Sequence, residues 1–368
     1  MKKKNFFLKI RVFDFRWILS LVLLLFTSIV AIYYLTLDQQ SEQTIINQVA
    51  NRNLTIARSG VLSIEDFFQD RKTEILLLAQ SQTIQSLQEQ EGRKLFKLFI
   101  DNLFDQQIPL ADINRVDKNG IIVWSTDTSD SRSNEGTDVN DREYFNWAKN
   151  QAQSEEVYIS KPLTARGGLL KGEAIINIAV PVYYQELFNG LIFFSFSMPT
   201  LTEKYLSPII TSPSALSHLV NQDGSIIASS QSFTDKSAVL GQSTEINALQ
   251  IDPALQKTLT GSEGSLIHSS PLFTQTLGIN DKIITSYSPV KVANNFWSLW
   301  ISTPYSQALT IIKPLKQKQS LGFSLILIGL AVIGVTFVFG IRLAQRNAFV
   351  KGFNQYQLQV KKLKQKEN

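Results

Sequence analysis

The sequence predicts an α+β protein in which two similar lobes, each built on an antiparallel sheet, are strung along one long N-terminal helix and flanked by two transmembrane helices. Three observations carry this. Two uncharged runs of 21 residues, Trp17 to Leu37 and Leu321 to Ile341, stand near the ends of the chain, and at about 1.5 Å per helical residue each reaches across a hydrocarbon core of about 30 Å. Between them, a proline-free stretch with helical spacing gives way to short alternating runs punctuated by Asn-Gly, Asp-Gly and Gly-Gly. Those alternating runs repeat once at an offset of about 104 residues.

Residues 1–16 form a basic start with Lys2, Lys3, Lys4, Lys9, Arg11 and Arg16 against Asp14. The apolar run that follows, 17–37, could open a cleaved signal peptide, but such h-regions are usually about 7–15 residues and end at a small-x-small site. This run continues through Ile32, Tyr33, Tyr34 and Leu37, which reads as an uncleaved anchor. The second span, 321–341, is followed by Arg342, Arg346, Lys351, Lys361, Lys362, Lys364 and Lys366 against Glu367. Short basic flanks stay inside, so both termini are expected in the cytoplasm and residues 38–320 outside the plasma (inner) membrane. Lys313, Lys316 and Lys318, just outside the second span, run against that rule without reversing it.

The net charge of +5 comes from these flanks, because residues 17–341 alone are acidic. The basic balance is therefore membrane topology and not a nucleic-acid surface. The chain has no cysteine, so no disulfide framework holds the exported part, which must bury a core of its own. That suits a bacterial envelope protein.

From 38 to 105 the spacing of Ile46, Val49, Ala57, Val61, Ile64 and Phe68 predicts a long helix, broken near Gly92. Beyond Pro109 the strands begin. INRVDKNGIIVWST (Ile113 to Thr126) matches LSHLVNQDGSIIASS (Leu216 to Ser230) with Gly120 over Gly224, Gly136 falls over Gly241, and Pro181 falls over Pro289. The expected division is a distal lobe, 106–205, a proximal lobe, 206–305, and a connecting helix, 306–320. The basic tail, 342–368, completes it.

The stretch DREYFNWAK, Asp141 to Lys149, concentrates an arginine, three aromatic rings, two acids and a lysine. Asp141 suits the N-cap of a short helix. Arg142 then stands at the positive end of the helix dipole, where a cation gains nothing. A guanidinium does fork onto a carboxylate or phosphate with two parallel hydrogen bonds, so a small anionic ligand would account for its placement; pairing with Asp138 or Glu143 is the alternative. The proximal lobe serves as a control: where the distal lobe has Arg142 and Trp124, it has Asn247 and Ala228. Alternation on the strand Ile121 to Thr126 puts Ile122, Trp124 and Thr126 on one face. That face, with Tyr158 of VYISKP, is expected to look into a pocket, a core role for Trp124 being the plain alternative.

GTDVNDREYF, VYISKP and IAVPVY, in this order between a long helix and the closing FWSLWISTP, resemble a double Cache sensor domain over residues 38–318. The resemblance implies two PAS-like lobes on one helix, as in bacterial chemoreceptors, histidine kinases and cyclic-dinucleotide enzymes, and signal transduction by ligand binding. It also implies that Arg142, Tyr144 and Phe145 line a distal-lobe ligand pocket. Two departures matter. Amino-acid-binding members carry a tyrosine where Thr137 stands here, and an aspartate near the closing strand where GLIFFSFSMPT offers only Ser195 and Ser197. Without a buried carboxylate an ammonium would be costly to bury, so an anion such as an organic acid is expected ahead of an α-amino acid.

No enzyme, metal or cofactor is expected: there is no cysteine, His218 and His268 stand alone, and no P-loop, G-x-G-x-x-G or G-x-S-x-G occurs. Residues 342–368 are too few for an output domain, so a sensor would signal through a separate cytoplasmic or membrane partner, as a monomer or homodimer. Phe349, Phe353, Tyr356, Val360 and Leu363 are spaced for a short dimer stub, a basic helix on anionic lipid, or a solvated anchor. A scaffold that keeps the fold without its ligand, or a truncated chemoreceptor or sensor kinase, is the other reading of the whole.

Overall fold

The computed structural model describes residues 2–364 except 107, 109, 211, 213–214, 231–251, 259, 271–273, 275–279 and 294. The chain divides into two compact units, residues 1–45 with 309–368, and residues 46–308. In the first unit, the start of helix α1 (Lys2–Gln80) and the C-terminal helix Lys313–Lys364 carry the two runs long and apolar enough to cross a membrane. They pack antiparallel: Tyr34 stacks on Phe323 with ring centroids 4.5 Å apart, and Leu23 faces Gly334.

The second unit holds two sheets, antiparallel throughout. β1 (Leu110–Val116), β2 (Ile122–Asp127), β3 (Tyr158–Ile159), β5 (Ala174–Tyr184) and β6 (Leu187–Ser197) run in the order β2-β1-β6-β5-β3, with β4 (Leu163–Thr164) also on β5. β7 (Leu216–Asn221), β8 (Ile226–Ser229), β9 (Gly264–Ser269), β10 (Lys282–Val292) and β11 (Asn295–Pro304) run β8-β7-β11-β10-β9. The two orders are the same path. The repeat read from sequence is thus a repeat of structure. Gly120 and Gly224 both close the first hairpin at positive φ, +91° and +83°, each donating its N–H three residues back, to Asp117 and Asn221. Only glycine takes that conformation without strain. Pro181 and Pro289 both sit in the long fourth path strand, opposite Leu191 and Ser298. Gly241, Asn247 and Pro109 lie outside the described residues.

Each first hairpin also carries a bulge at the same place. Arg115 pairs with Trp124 but Val116 with Ile122, leaving Val123 extra; Leu219 pairs with Ala228 but Val220 with Ile226, leaving Ile227 extra. An extra residue reverses alternation beyond it. Ile122 therefore faces away from the helices while Trp124 faces them.

Both sheets bury one face against α1. Ile64, Phe67, Phe68, Ile75 and Leu78 join Phe194 and Phe196 of the distal sheet and Trp297 and Leu299 of the proximal one in a single core cluster. Phe67 meets Phe196 edge-on at 5.2 Å and Phe68 meets Trp297 at 5.4 Å. Such ring pairs contribute about 0.5–1.5 kcal/mol beyond the area they bury.

The helical stretch does not break at Gly92. It stops at Ser81, whose backbone is extended, resumes as α2 (Gln82–Gln85), turns at Leu87 with φ +56°, and continues as α3 (Glu89–Asp105). The break is clamped by a buried arginine: Arg115 Nε donates to the Ile84 carbonyl at 3.1 Å and Nη2 to the Asn189 carbonyl at 2.7 Å, while Asn189 donates to the Gln85 carbonyl at 2.6 Å. The last carbonyls of α2 thus find the partners that a helix end lacks. Gly92 has a different task, letting α3 approach β2. A Cβ there would collide with Cζ3 of Trp124 and lie 3.0 Å from Cε3 and Cη2 of the same ring.

A test follows from opposed terms. Alanine favours a helix over glycine by about 1 kcal/mol, whereas overpacking a core costs about 1–3 kcal/mol. Because a buried indole cannot yield like a flexible chain end, Gly92→Ala should destabilise the protein by about 1–2 kcal/mol and become neutral or stabilising in a Trp124→Leu background. Chemical denaturation of the four chains measures this, and an equal loss in both backgrounds would exclude the close-approach role.

Candidate functional site

The recognition stretch folds as the short helix α4 (Glu143–Asn150), but its entrance is not the one expected. Asp141 is not the N-cap. Arg142 holds that position with extended backbone, φ −72° and ψ 141°, and no side chain caps the helix. The reason is competition: Asp141 is taken by Arg166, which grips both its oxygens at 2.5 and 2.6 Å and also donates to the Asp138 carbonyl at 3.0 Å. This grip pulls the Asp141 carboxyl down to about 2.

Neither internal partner proposed for Arg142 engages it. Asp138 accepts from the Asn140 N–H at 2.9 Å, and Glu143 accepts from the Tyr158 hydroxyl at 3.1 Å. Arg142 itself donates to the Thr164 carbonyl at 2.8 Å. Among the described residues no carboxylate pairs with it. Partial burial, then the charge of Arg166 beside it, lowers its pKa. A half-buried arginine next to a second cation is a place where an incoming anion relieves both penalties.

Arg142 and Arg166 form one edge of a cavity of about 30 Å³ on the face of the distal sheet away from α1. Its floor is polar: Asp112 from β1, Asn177 from β5, Ser195 from β6, and Asn134 from the loop before α4. Tyr144, Ile122, Phe193 and Thr137 complete the lining the chemistry uses. A second cavity of the same size lies between α1 and the two sheets, near Phe67, Tyr205 and Trp297. Its lining is almost wholly apolar, with no charged group to orient a ligand, so the distal one is the candidate site.

Asp112 is the residue that sequence reasoning missed. It pairs with Ser195 across β1 and β6, and its carboxylate accepts from Asn114 at 2.5 Å and Asn134 at 3.0 Å. Burial pushes its carboxyl up to about 6, with the donors opposing and Asp127 adding to the rise. The expectation that no buried carboxylate faces the pocket is therefore overturned. The acid comes from the neighbouring strand and stands opposite the serine of the closing strand. The signal was present in LADINRV, where Asp112 and Asn114 alternate with Ala111 and Ile113, and in Asn177 and Ser195 inside the apolar runs of two further strands. Polar residues at one parity of a buried strand mark a polar face. Arg166 carried no such signal.

The five residues expected to line the pocket separate. Arg142 and Tyr144 do line it; Tyr144 is buried against Phe193, ring centroids 5.3 Å apart, and burial raises its hydroxyl pKa. Phe145 is one step round the helix and packs into the core against Phe188. Trp124 faces α3 and Phe96 because of the bulge at Val123. Tyr158 turns outward, its ring tilted against that of Trp147 at 5.2 Å and its hydroxyl donating to Glu143.

A family model described as Cache domain matches residues 39–312 of the chain. Among solved structures, the periplasmic sensory domain of the Campylobacter jejuni chemoreceptor Tlp1 is 15% identical with a TM-score of 0.52, covering 72% of this chain and 98% of that one. The ligand-binding domain of the Pseudomonas fluorescens chemoreceptor CtaA, in complex with L-isoleucine, is 18% identical with a TM-score of 0.50, covering 75% of this chain and 99% of that one. At these identities the likeness is one of fold. No curated protein matches the chain.

The raised Asp112 carboxyl has a consequence for stability. Its folded pKa, about 6, lies above its ordinary 3.8, so the folded chain holds this proton more tightly than the unfolded one. The contribution is fully present below about pH 4 and is lost as pH rises through about 6. Asp112→Asn, which imitates the protonated acid, should gain on the native chain by on the order of 1–3 kcal/mol between pH 4.5 and 7.5. Denaturant melts of both chains at those two pH values measure the gain; a difference independent of pH would show that Asp112 ionises freely.

Proposed function

This chain belongs to the Cache domain family, and we propose that it is a membrane-anchored extracytoplasmic sensor whose distal lobe binds a small ligand carrying an anionic group. Cache domains are sensory ligand-binding modules, which sets the class. The observation that carries the finer reading is Arg142: half-buried at the cavity edge, beside Arg166, and with no carboxylate of its own among the described residues. A carboxylate or phosphate placed there receives charge-assisted hydrogen bonds in a partly desolvated setting, where they are strongest.

Asp112 adds a second pole. It presents a buried acceptor across the cavity from the arginines, which suits a ligand with an ammonium or hydroxyl donor on the other side of its anionic group. An α-amino acid joins both groups on one carbon, and the similar CtaA domain was solved with L-isoleucine. Preference for a simple organic acid over an amino acid thus loses its reason, and the class of ligand widens to small zwitterions. Tyr144 and Phe193 would close over the remainder.

The basic flanks support a reading with both termini in the cytoplasm and residues 38–320 outside, in a plasma (inner) membrane. The occupied lobe would then act on a separate signalling partner through the membrane helices. The described residues include no cluster of metal-ligating side chains, and no step of this reading involves turnover.

Titration of the full-length chain in detergent micelles with α-amino acids, their α-hydroxy analogues, dicarboxylates and phosphates tests the reading. A ligand at 100 times its Kd adds about 2.7 kcal/mol of stability, which a melting curve resolves. Arg142→Ala should abolish stabilisation by every anion, and Asp112→Asn should remove any preference for the amino acid over its hydroxy analogue. A ligand that stabilises Arg142→Ala as well as the native chain would place the site elsewhere; no stabilisation by any class would favour the scaffold reading.

A further inference from the structure

Lys316 lies just outside the second membrane run, on the side where the orienting charge rule disfavours a cation. Its surroundings account for it. Within the first unit its Nζ lies 3.1 Å from Asp38 Oδ1 and 3.0 Å from Glu42 Oε2, and all three side chains are about two-thirds buried. Lys313 and Lys318, the neighbouring cations, make no ion pair among the described residues. The acids raise the Lys316 pKa against the opposing effect of burial, so the charge is held.

Asp38 and Glu42 are four residues apart on one face of α1, a separation of about 6 Å along the axis. The lysine bridges them from the opposite helix. Below this bridge, Tyr34 against Phe323 and Leu23 against Gly334 share one antiparallel register, the two residue numbers adding to 357 in both contacts. Lys316 taken with Asp38 gives 354 and with Glu42 gives 358, so the two acids bracket the packed register.

We propose that Lys316 pins the register of the two membrane helices by bridging Asp38 and Glu42, two acidic stops one helical turn apart. A slide of either helix by half a turn in one direction lengthens the contact with Asp38, and in the other direction the contact with Glu42. Each loss breaks one of the two ion pairs of a partly buried cation, which opposes the slide. Apolar faces in a membrane resist sliding weakly, since lipid and leucine are equivalent surroundings. The polar bridge at the boundary supplies the directionality that the spans lack. Lys316 is a positioning residue in this scheme and touches no ligand.

The chain has no native cysteine, so introduced pairs report register directly. In full-length chains reconstituted in lipid nanodiscs, Tyr34→Cys is combined with Ser320→Cys, Phe323→Cys or Leu327→Cys, and disulfide yield is measured under mild oxidation. The 34/323 pair should dominate in the native background. Lys316→Met should reduce its excess over the flanking pairs by about threefold or more, the scale of a modest ion pair, and Lys316→Arg should restore it. Asp38→Asn should enrich 34/327 and Glu42→Gln should enrich 34/320. Yields unchanged by Lys316→Met, or shifts of the same sign in the two acid variants, would overturn the proposal; circular dichroism of each variant confirms that the helices persist.

Discussion

Everything in the extracytoplasmic unit depends on one shared surface, the apolar face of α1 between Val61 and Ala79, against which both sheets bury one side. Two five- or six-stranded sheets without such a cover would each expose a hydrophobic face. The helix covers both at once, with Phe67 against Phe196 and Phe68 against Trp297 only one residue apart in sequence. Adjacent aromatic residues on a helix point about 100° apart, which is how a single turn reaches two sheets. Gly60, close against Leu299, and Gly92, close against Trp124, mark where helix and strand approach most tightly.

Spending one face of each sheet on the helix leaves the other face for function. In the distal lobe that face holds a polar floor that an isolated core could not tolerate without partners. Asn114, Asn134 and Ser195 satisfy Asp112, and Asp141 satisfies Arg166, so the residual imbalance falls on Arg142. A site is chemically poised when its surroundings satisfy all groups but one, and here that one is the cation at the rim, beside an acid whose hydrogen bonds are already filled.

Membrane runs, the helix-then-strand order and the internal repeat were legible because they rest on periodicity, length and turn residues, which act locally. The site was legible only in part. Arg142 announced itself by being out of place at a helix start and Tyr144 came with the family resemblance, but Trp124 was misassigned because alternation was counted through a bulge, and a bulge has no reliable sequence mark when the extra residue is an ordinary Val123. The helix break was misplaced for a similar reason: Gly92 looks like a breaker by propensity, whereas the chain breaks at Ser81 through Leu87, where Arg115 and Asn189 arrive from over 25 residues away to hold the loose carbonyls. Asp112 was visible as a polar residue in a buried strand, yet its meaning depends on which strand lies beside it.

The proximal lobe shows what the same fold does when the imbalance is removed. Thr285 and Ser302 face each other across β10 and β11 just as Asn177 and Ser195 do across β5 and β6, four residues before the matching prolines Pro289 and Pro181. In the proximal lobe these hydroxyls bond each other at 3.0 Å and Thr285 meets His268 at 2.9 Å, while Asp252 is held by Ser270 at 2.6 Å. Among the described residues, these floor hydroxyls are answered from within. The distal floor instead opens onto two arginines, one of them without a carboxylate among the described residues. Since both lobes share strand order, hairpin glycine, bulge and helix cover, that difference cannot come from the fold. It comes from a handful of side chains: Arg142, Arg166 and Asp112 in the distal lobe, and Thr285, Ser302 and His268 in the proximal one.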